Sequence, residues 1–285
     1  MIWGAAEWKP VARFYVLATA ISWTLWSPLV LSRAGVGVLP FTMPMPWTIA
    51  GTLGPPLAAV MMWRREGRLR SSLSRLVRVD STRAVGALAG SLVVAITFVC
   101  GTAAILSRHQ PEGWQASAFA LYGFHWFTTL LGGPIFEEWG WRGYAQARLQ
   151  QGIGPLPAAL AVGLGWGLWH LPLFLVPAWS SASLPIYVVM ITLLSVLMAW
   201  GFNTSRGFIV ASIAMHFTYN ASSRVLGDFL GDADLRAWPS PVVAITLAFG
   251  AAALIVTVST KGRLGAKGAG ETASGGDGDG RRPSS

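Results

Sequence analysis

Two adjacent carboxylates and an arginine, in Glu137-Glu138-Trp139-Gly140-Trp141-Arg142, stand at the end of a long apolar run. On a helix Glu138 and Arg142 lie at i and i+4, on one face and able to pair, whereas Glu137 is turned ~100° away. Farther along, Trp166-Gly167-Leu168-Trp169-His170 repeats that spacing with an aromatic ring and an imidazole. His216-Phe217-Thr218-Tyr219-Asn220 repeats it with an imidazole and an amide. A carboxylate beside a histidine can orient and deprotonate a water, acting as general base and later as acid. A second histidine with an asparagine amide can donate to the oxyanion that forms when water attacks a carbonyl. These ingredients suit peptide-bond hydrolysis without a serine or cysteine nucleophile. Glu138 with Arg142 would fix the helix and tune Glu137.

Each stretch alone has a plainer reading. The carboxylates and Arg142 could be an interfacial charge cluster at a helix end, where ionisable groups snorkel cheaply. His170 could simply donate to a backbone carbonyl, since Pro172 removes a backbone donor and frees a carbonyl one turn earlier. His216 and Asn220 could glue helices together at ~0.6 kcal/mol per contact. Taken together they weigh differently. Several such side chains at bilayer depth cost on the order of 2–3 kcal/mol each, and one shared polar site accounts for all of them.

The surrounding composition is that of a membrane protein. The chain has 285 residues, 53% hydrophobic and only 12% charged, with 15 Trp. Several apolar runs approach or exceed the ~20 residues that cross a bilayer core as a helix. They do not alternate polar and apolar residues, which excludes a β-barrel. The fold class expected is all-α, a polytopic transmembrane bundle of about eight spans around a buried polar site. The net charge of +9 does not point to nucleic acid. Arg64, Arg65, Arg68, Arg70, Arg75, Arg78 and Arg83 crowd one connector between apolar runs, the mark of a cytoplasmic loop beside anionic lipid head groups. Cys100, the single cysteine, rules out an intrachain disulfide and reads as a small buried hydrophobe.

In chain order, residues 1–13 form a short cytoplasmic segment, and residues 14–106 hold three spans: Phe14 to Leu31, Trp47 to Trp63, and Ala84 to Leu106. The first reads as a retained helix, because a signal peptide has a shorter apolar region and a small-residue cleavage site. Pro55-Pro56 should kink or break the second. The basic loop is 64–83. Residues 115–226 form the core: a fourth span from Gln115 to Leu131, a fifth from Ala158 to Pro177, a sixth from Leu184 to Gly201 and a seventh from Phe208 to Leu226. An acidic connector with Asp228, Asp232 and Asp234 leads to the last span, 242–258. The tail, 259–285, is Gly-, Ser- and Asp-rich and is expected to be disordered and cytoplasmic. Eight spans with the basic loop inside place both termini in the cytoplasm and the acidic connector outside.

Depth refines the placing of the carboxylates. His170 is ~18 Å along its span from the cytosolic end and His216 ~12 Å along its own, at 1.5 Å per residue. A carboxylate that meets both cannot cap a helix at the cytosolic surface. The Gly132-Gly133-Pro134 bend should therefore carry Glu137 onto a helical segment inside the protein, facing His170. Gly276-Asp277-Gly278-Asp279 mimics an aspartyl-protease pattern but sits in the hydrophilic tail, and His109 and His125 lack partner patterns.

The ordered set Glu-Glu-x-x-x-Arg, aromatic-x-x-x-His, His-x-x-x-Asn resembles the CPBP family of intramembrane endopeptidases, which includes CAAX prenyl endopeptidases and bacteriocin-processing or self-immunity proteins. The resemblance covers about Gln115 to Leu226. It implies water activation by Glu137 and His170, oxyanion stabilisation by His216 and Asn220, and a supporting role for Glu138 and Arg142. It also implies a cavity within the membrane open toward the cytosol. The second motif usually begins with Phe, where this chain has Trp166, a change that bears on pocket shape. Glu137, His170 and His216 could alternatively supply a two-His-one-carboxylate zinc set. The His-Glu-x-x-His helix is absent, and a metal-free mechanism without cofactor is favoured. The partners expected are the lipid bilayer and a membrane-associated peptide or protein substrate, with no nucleic acid. A non-catalytic immunity or binding protein, or a proton-coupled small transporter, would use the same polar groups differently, although no transporter-type repeat is evident.

Overall fold

Long apolar sequences without strand alternation give helix throughout. The computed structural model describes residues 8–106, 126–236 and 241–266, and among the described residues there is no strand. The helices are α1 (Trp8–Leu31), α2 (Gly54–Arg65), α3 (Leu69–Val77), α4 (Ser81–Leu106), α5 (Pro134–Gly140), α6 (Ala147–Ile153), α7 (Pro155–Trp169), α8 (Leu184–Thr204), α9 (Ile209–Arg236) and α10 (Pro241–Ser259). Five segments are long and apolar enough to cross a bilayer: Trp8–Leu31, Ser81–Thr102, Pro155–Leu175, Leu184–Thr204 and Pro241–Ser259. The protein is an all-α, polytopic membrane bundle.

The outer face of α4 shows its solvent directly. Val85, Leu88, Leu92, Ile96 and Val99 are all exposed, at the three- and four-residue spacing of one helix face. An apolar stripe of that length facing outward fits lipid, not water. Cys100 lies beside it and is exposed, so the expectation of a buried thiol is corrected: it sits on the outward side of α4.

The remaining expected spans differ in instructive ways. The second is not one helix. A 3-10 turn (Met45–Trp47), a single α-turn (Thr48–Gly51) and α2 replace it. Pro55 and Pro56 open α2 because a proline fits the first turn of a helix, where its missing N–H costs nothing. Most of the fourth expected span, with His109 and His125, lies outside the described residues; 126–131 are helical, and a turn follows at 132–133. The seventh, α9, runs past Leu226 to Arg236, so helix extends into the stretch read as an acidic connector. It is not among the five apolar segments. His216, Asn220, Ser222, Ser223 and Arg224 dilute its hydropathy, and it packs against α4, α5 and α8, so lipid need not tolerate its polar face.

The tail is ordered at least through Ala266. Leu264 is fully buried, and Thr260 holds the turn by accepting the Leu264 N–H at its Oγ1, 3.1 Å away. Disorder from residue 259 onward is therefore corrected for this first part. Residues 267–285, with the Gly276–Asp279 pattern, lie outside the described chain.

Close helix approach builds the scaffold. α7 packs against α8, and a Cβ added at Gly163 would fall 2.6 Å from the Thr192 Cα. Four residues on, a Cβ at Gly167 would fall 3.1 Å from the Val188 Cα. Small residues at this spacing let two backbones touch where lipid gives no hydrophobic drive to association. Ser195 Oγ reinforces the contact by donating to the Ala159 carbonyl at 2.9 Å. α5, which carries the two carboxylates, sits between α2 and α9. In the basic connector Arg83 is spent on structure, donating to the Arg75 and Arg78 carbonyls at 2.9 and 2.8 Å.

Candidate active site

α5 starts at Pro134, directly after the Gly132-Gly133 turn, and the Gly133 carbonyl accepts the N–H groups of Phe136 and Glu137 at 3.0 and 2.8 Å. This short helix points inward. Glu137 and Glu138 are 2% and 0% exposed, so the carboxylates lie inside the protein, as the depth of the histidines requires. The chain then widens into a π-helical turn, Trp141–Gln146, every residue of which is buried. Such turns concentrate at functional sites, where an extra residue per turn re-aims side chains.

Glu138 is committed on two sides. Its Oε1 accepts a hydrogen bond from His216 Nδ1 at 2.8 Å, and its Oε2 lies 3.2 Å from Arg142 Nη1 in an ion pair with no solvent exposure. The Arg142 guanidinium sits 4.7 Å from the centroid of the Trp166 ring and donates through Nη2 to Met198 Sδ at 3.4 Å. The i, i+4 pairing read from the sequence is present. What it supports is His216, which the spacing did not reveal.

Glu137 is held by a different partner. Its Oε2 accepts a hydrogen bond from the Trp166 indole N–H at 2.7 Å. Trp141 Nε1, also buried, is a second indole donor beside the same carboxylate, set less tightly than Trp166. The other oxygen, Oε1, looks toward Gly133: a Cβ there would stand 2.8 Å from Oε1 and 3.3 Å from His216 Cε1. A bare glycine thus leaves open the space where carboxylate and imidazole face each other.

His170 ends α7. Its Nδ1 lies 2.9 Å from the Trp166 carbonyl, which fixes the tautomer with hydrogen on Nδ1 and leaves Nε2 as the nitrogen free for chemistry. The helix tightens there into a 3-10 turn, Leu171–Leu175, because Pro172 cannot donate. His170 is therefore the C-cap of α7, still within the apolar segment Pro155–Leu175. The freed Trp169 carbonyl accepts the Trp23 indole at 2.9 Å. Aromatic rings enclose the imidazole: Trp179 stacks at 5.3 Å between centroids, with Trp169 and Tyr187 edge-on at 4.6 and 5.3 Å. The carbonyl contact expected in the plainer reading of His170 does exist, and it coexists with a place in the cavity.

Glu137, Trp166, His170, His216 and Asn220 line one cavity of about 400 Å³. Glu138 and Arg142 do not line it; they lie behind His216. All six residues singled out from the sequence thus converge on one place, four at the cavity wall and two behind it. Missed were Trp166 as a donor to Glu137 and Gly133 as the open floor. A tryptophan in an apolar helix looks like packing, and no residue pattern announces which glycine faces a carboxylate. As for a metal, no group of three His, Cys, Asp or Glu side chains among the described residues is arranged to hold an ion. Glu137 Oε2 and His216 Nδ1 both already face other partners.

Residues 119–222 match the family model described as Type II CAAX prenyl endopeptidase Rce1-like. A CAAX prenyl protease 2 of Methanococcus maripaludis is 29% identical over 135 residues, covering 41% of this chain and 49% of that protein. The match spans about half the length of that curated relative.

Proposed function

Because residues 119–222 match the Rce1-like CAAX prenyl endopeptidase model, we propose that the cavity is the active site of an intramembrane endopeptidase. It hydrolyses a peptide bond in a membrane-associated peptide or protein. The observation that carries this reading is the meeting of Glu137, His170, His216 and Asn220 at one cavity wall, among side chains drawn from three separate helices.

The chemistry follows from the positions. Glu137 takes a proton from a water, aided by the neutral Nε2 of His170, and the water oxygen bonds to the carbonyl carbon of the scissile peptide. The carbonyl π electrons move onto oxygen, and His216 with Asn220 donates to that oxyanion. The proton passes from Glu137 to the amide nitrogen as the C–N bond breaks, releasing an amine and a carboxylic acid. Aromatic walls around His170 keep bulk water out, which strengthens each of these polar contacts. The step needs no metal: Glu137 and His170 activate the water, and Glu138 orients His216 through Nδ1.

The decisive experiment compares new peptide termini in membrane proteomes of cells carrying the active protein and its Glu137→Gln variant. Cleavage sites that vanish with Glu137→Gln, while the variant still inserts and folds, are the expected result. Identical termini in both would sink the reading.

We assign the cytosolic side to the arginine connector, which places both termini there as well. The crowding of arginines between α2 and α4 supports this orientation. A single cysteine at Arg70→Cys, in a Cys100→Ser background, should react with a membrane-impermeant maleimide only from the cytosolic face.

A further inference from the structure

We propose that Trp166 is a positioning residue: its indole N–H pins one oxygen of Glu137 and thereby assigns the other, Oε1, as the oxygen that takes the proton. The inference rests on the endopeptidase reading of the cavity. An indole nitrogen is a donor only and cannot deliver or accept a proton in the reaction. Its 2.7 Å bond to Oε2 therefore occupies that oxygen without competing chemically. Oε1 remains, and it faces the unfilled space at Gly133 and the His216 ring.

Trp166 is itself closely packed. It is 1% exposed, carries the Arg142 guanidinium on its face and meets the His216 ring edge-on at 4.9 Å between centroids. Its backbone carbonyl holds His170 Nδ1. One residue thus contacts both groups proposed to activate water, through its side chain for Glu137 and its main chain for His170. Only the side-chain contact can be removed by substitution, which makes the proposal separable from folding.

The test replaces Trp166 by its benzothienyl analogue, in which sulfur stands in place of N–H and ring shape is kept; Trp166→Phe is the genetic counterpart. The first readout is the infrared carboxylate band of Glu137, identified by its loss in Glu137→Gln. The second is cleavage of a synthetic peptide spanning a site found in the terminus comparison. A shifted band with kcat down roughly 10- to 100-fold, the range for a hydrogen bond to a charged group, and KM unchanged, is expected. An unmoved band, or a moved band with unchanged kcat, overturns the proposal. A rise in KM with kcat retained also overturns it, since that would make Trp166 part of the peptide-binding wall. If the unaltered protein cleaves nothing, the hydrolytic reading fails, while the infrared band still decides whether Trp166 holds Glu137.

Discussion

His216 Nδ1 lies 2.8 Å from Glu138 Oε1, although the two residues are 78 positions apart in the chain. With Nδ1 donating to the carboxylate, Nε2 carries a hydrogen only when the ring is an imidazolium. An oxyanion at the cavity needs that second donor, and the bond to Glu138 fixes Nε2 as the nitrogen that can supply it. Glu138→Gln keeps an acceptor for Nδ1 and removes the charge. The expected outcome is a fall in kcat of about 100-fold, the scale for losing one oxyanion donor, with peptide binding retained. Single-turnover cleavage at saturating enzyme measures it.

Arg142 answers the same carboxylate from the other side, at 3.2 Å and fully buried. Removing one member of such a pair strands a charge, at a cost of about 3–5 kcal/mol. Arg142→Ala should therefore lower the thermal midpoint in detergent sharply. Neutralising both partners, as Glu138→Gln with Arg142→Met, should recover much of that stability without recovering activity. The contrast between midpoint and turnover separates the structural cost of the pair from its service to His216.

Gly133 offers a steric test. Its missing side chain leaves Glu137 Oε1 uncrowded, since an added Cβ would stand only 2.8 Å away. Gly133→Ala should push the carboxylate from its place. Displacement on the scale of 1 Å costs about 100-fold in rate, so kcat should drop by that order. The thermal midpoint should move little, because the intruding methyl meets a side-chain end and not a backbone. Wild-type turnover in this variant would mean that Oε1 does not act toward Gly133.

Much of this arrangement is legible in the residues themselves. Apolar runs mark α1, α4, α7, α8 and α10, and the i, i+4 pairs mark the side chains that share a face. The depth of His170 and His216 even requires a bend at Gly132-Gly133. Other features depend on contacts between distant segments. α9 reads as a span as far as Leu226, but its run on to Arg236 does not, and the shelter of its polar face by α4, α5 and α8 is a tertiary matter. The partner of Glu138 could not be told from spacing, since Arg142 satisfies the local rule and His216 only the tertiary one. Trp166 hides among 15 tryptophans, where only geometry separates a donor from a packing ring.

The metal question turns on the same contacts. Zinc would need open lone pairs on Glu137, His170 and His216 pointing at one spot. The Trp166 N–H takes Glu137 Oε2, which leaves Oε1 as the oxygen of that carboxylate open to a cation or a proton. His216 presents Nδ1–H to Glu138, so only Nε2 could ligate, and a ligating Nε2 cannot also donate to an oxyanion. A metal-free route keeps all three groups in the roles proposed for them. Protein treated with 1,10-phenanthroline and then dialysed should cleave its peptide at the original rate, with substoichiometric metal by mass spectrometry. Loss of cleavage on chelation, restored by zinc alone, would transfer water activation from Glu137 to the ion and make His216 a ligand.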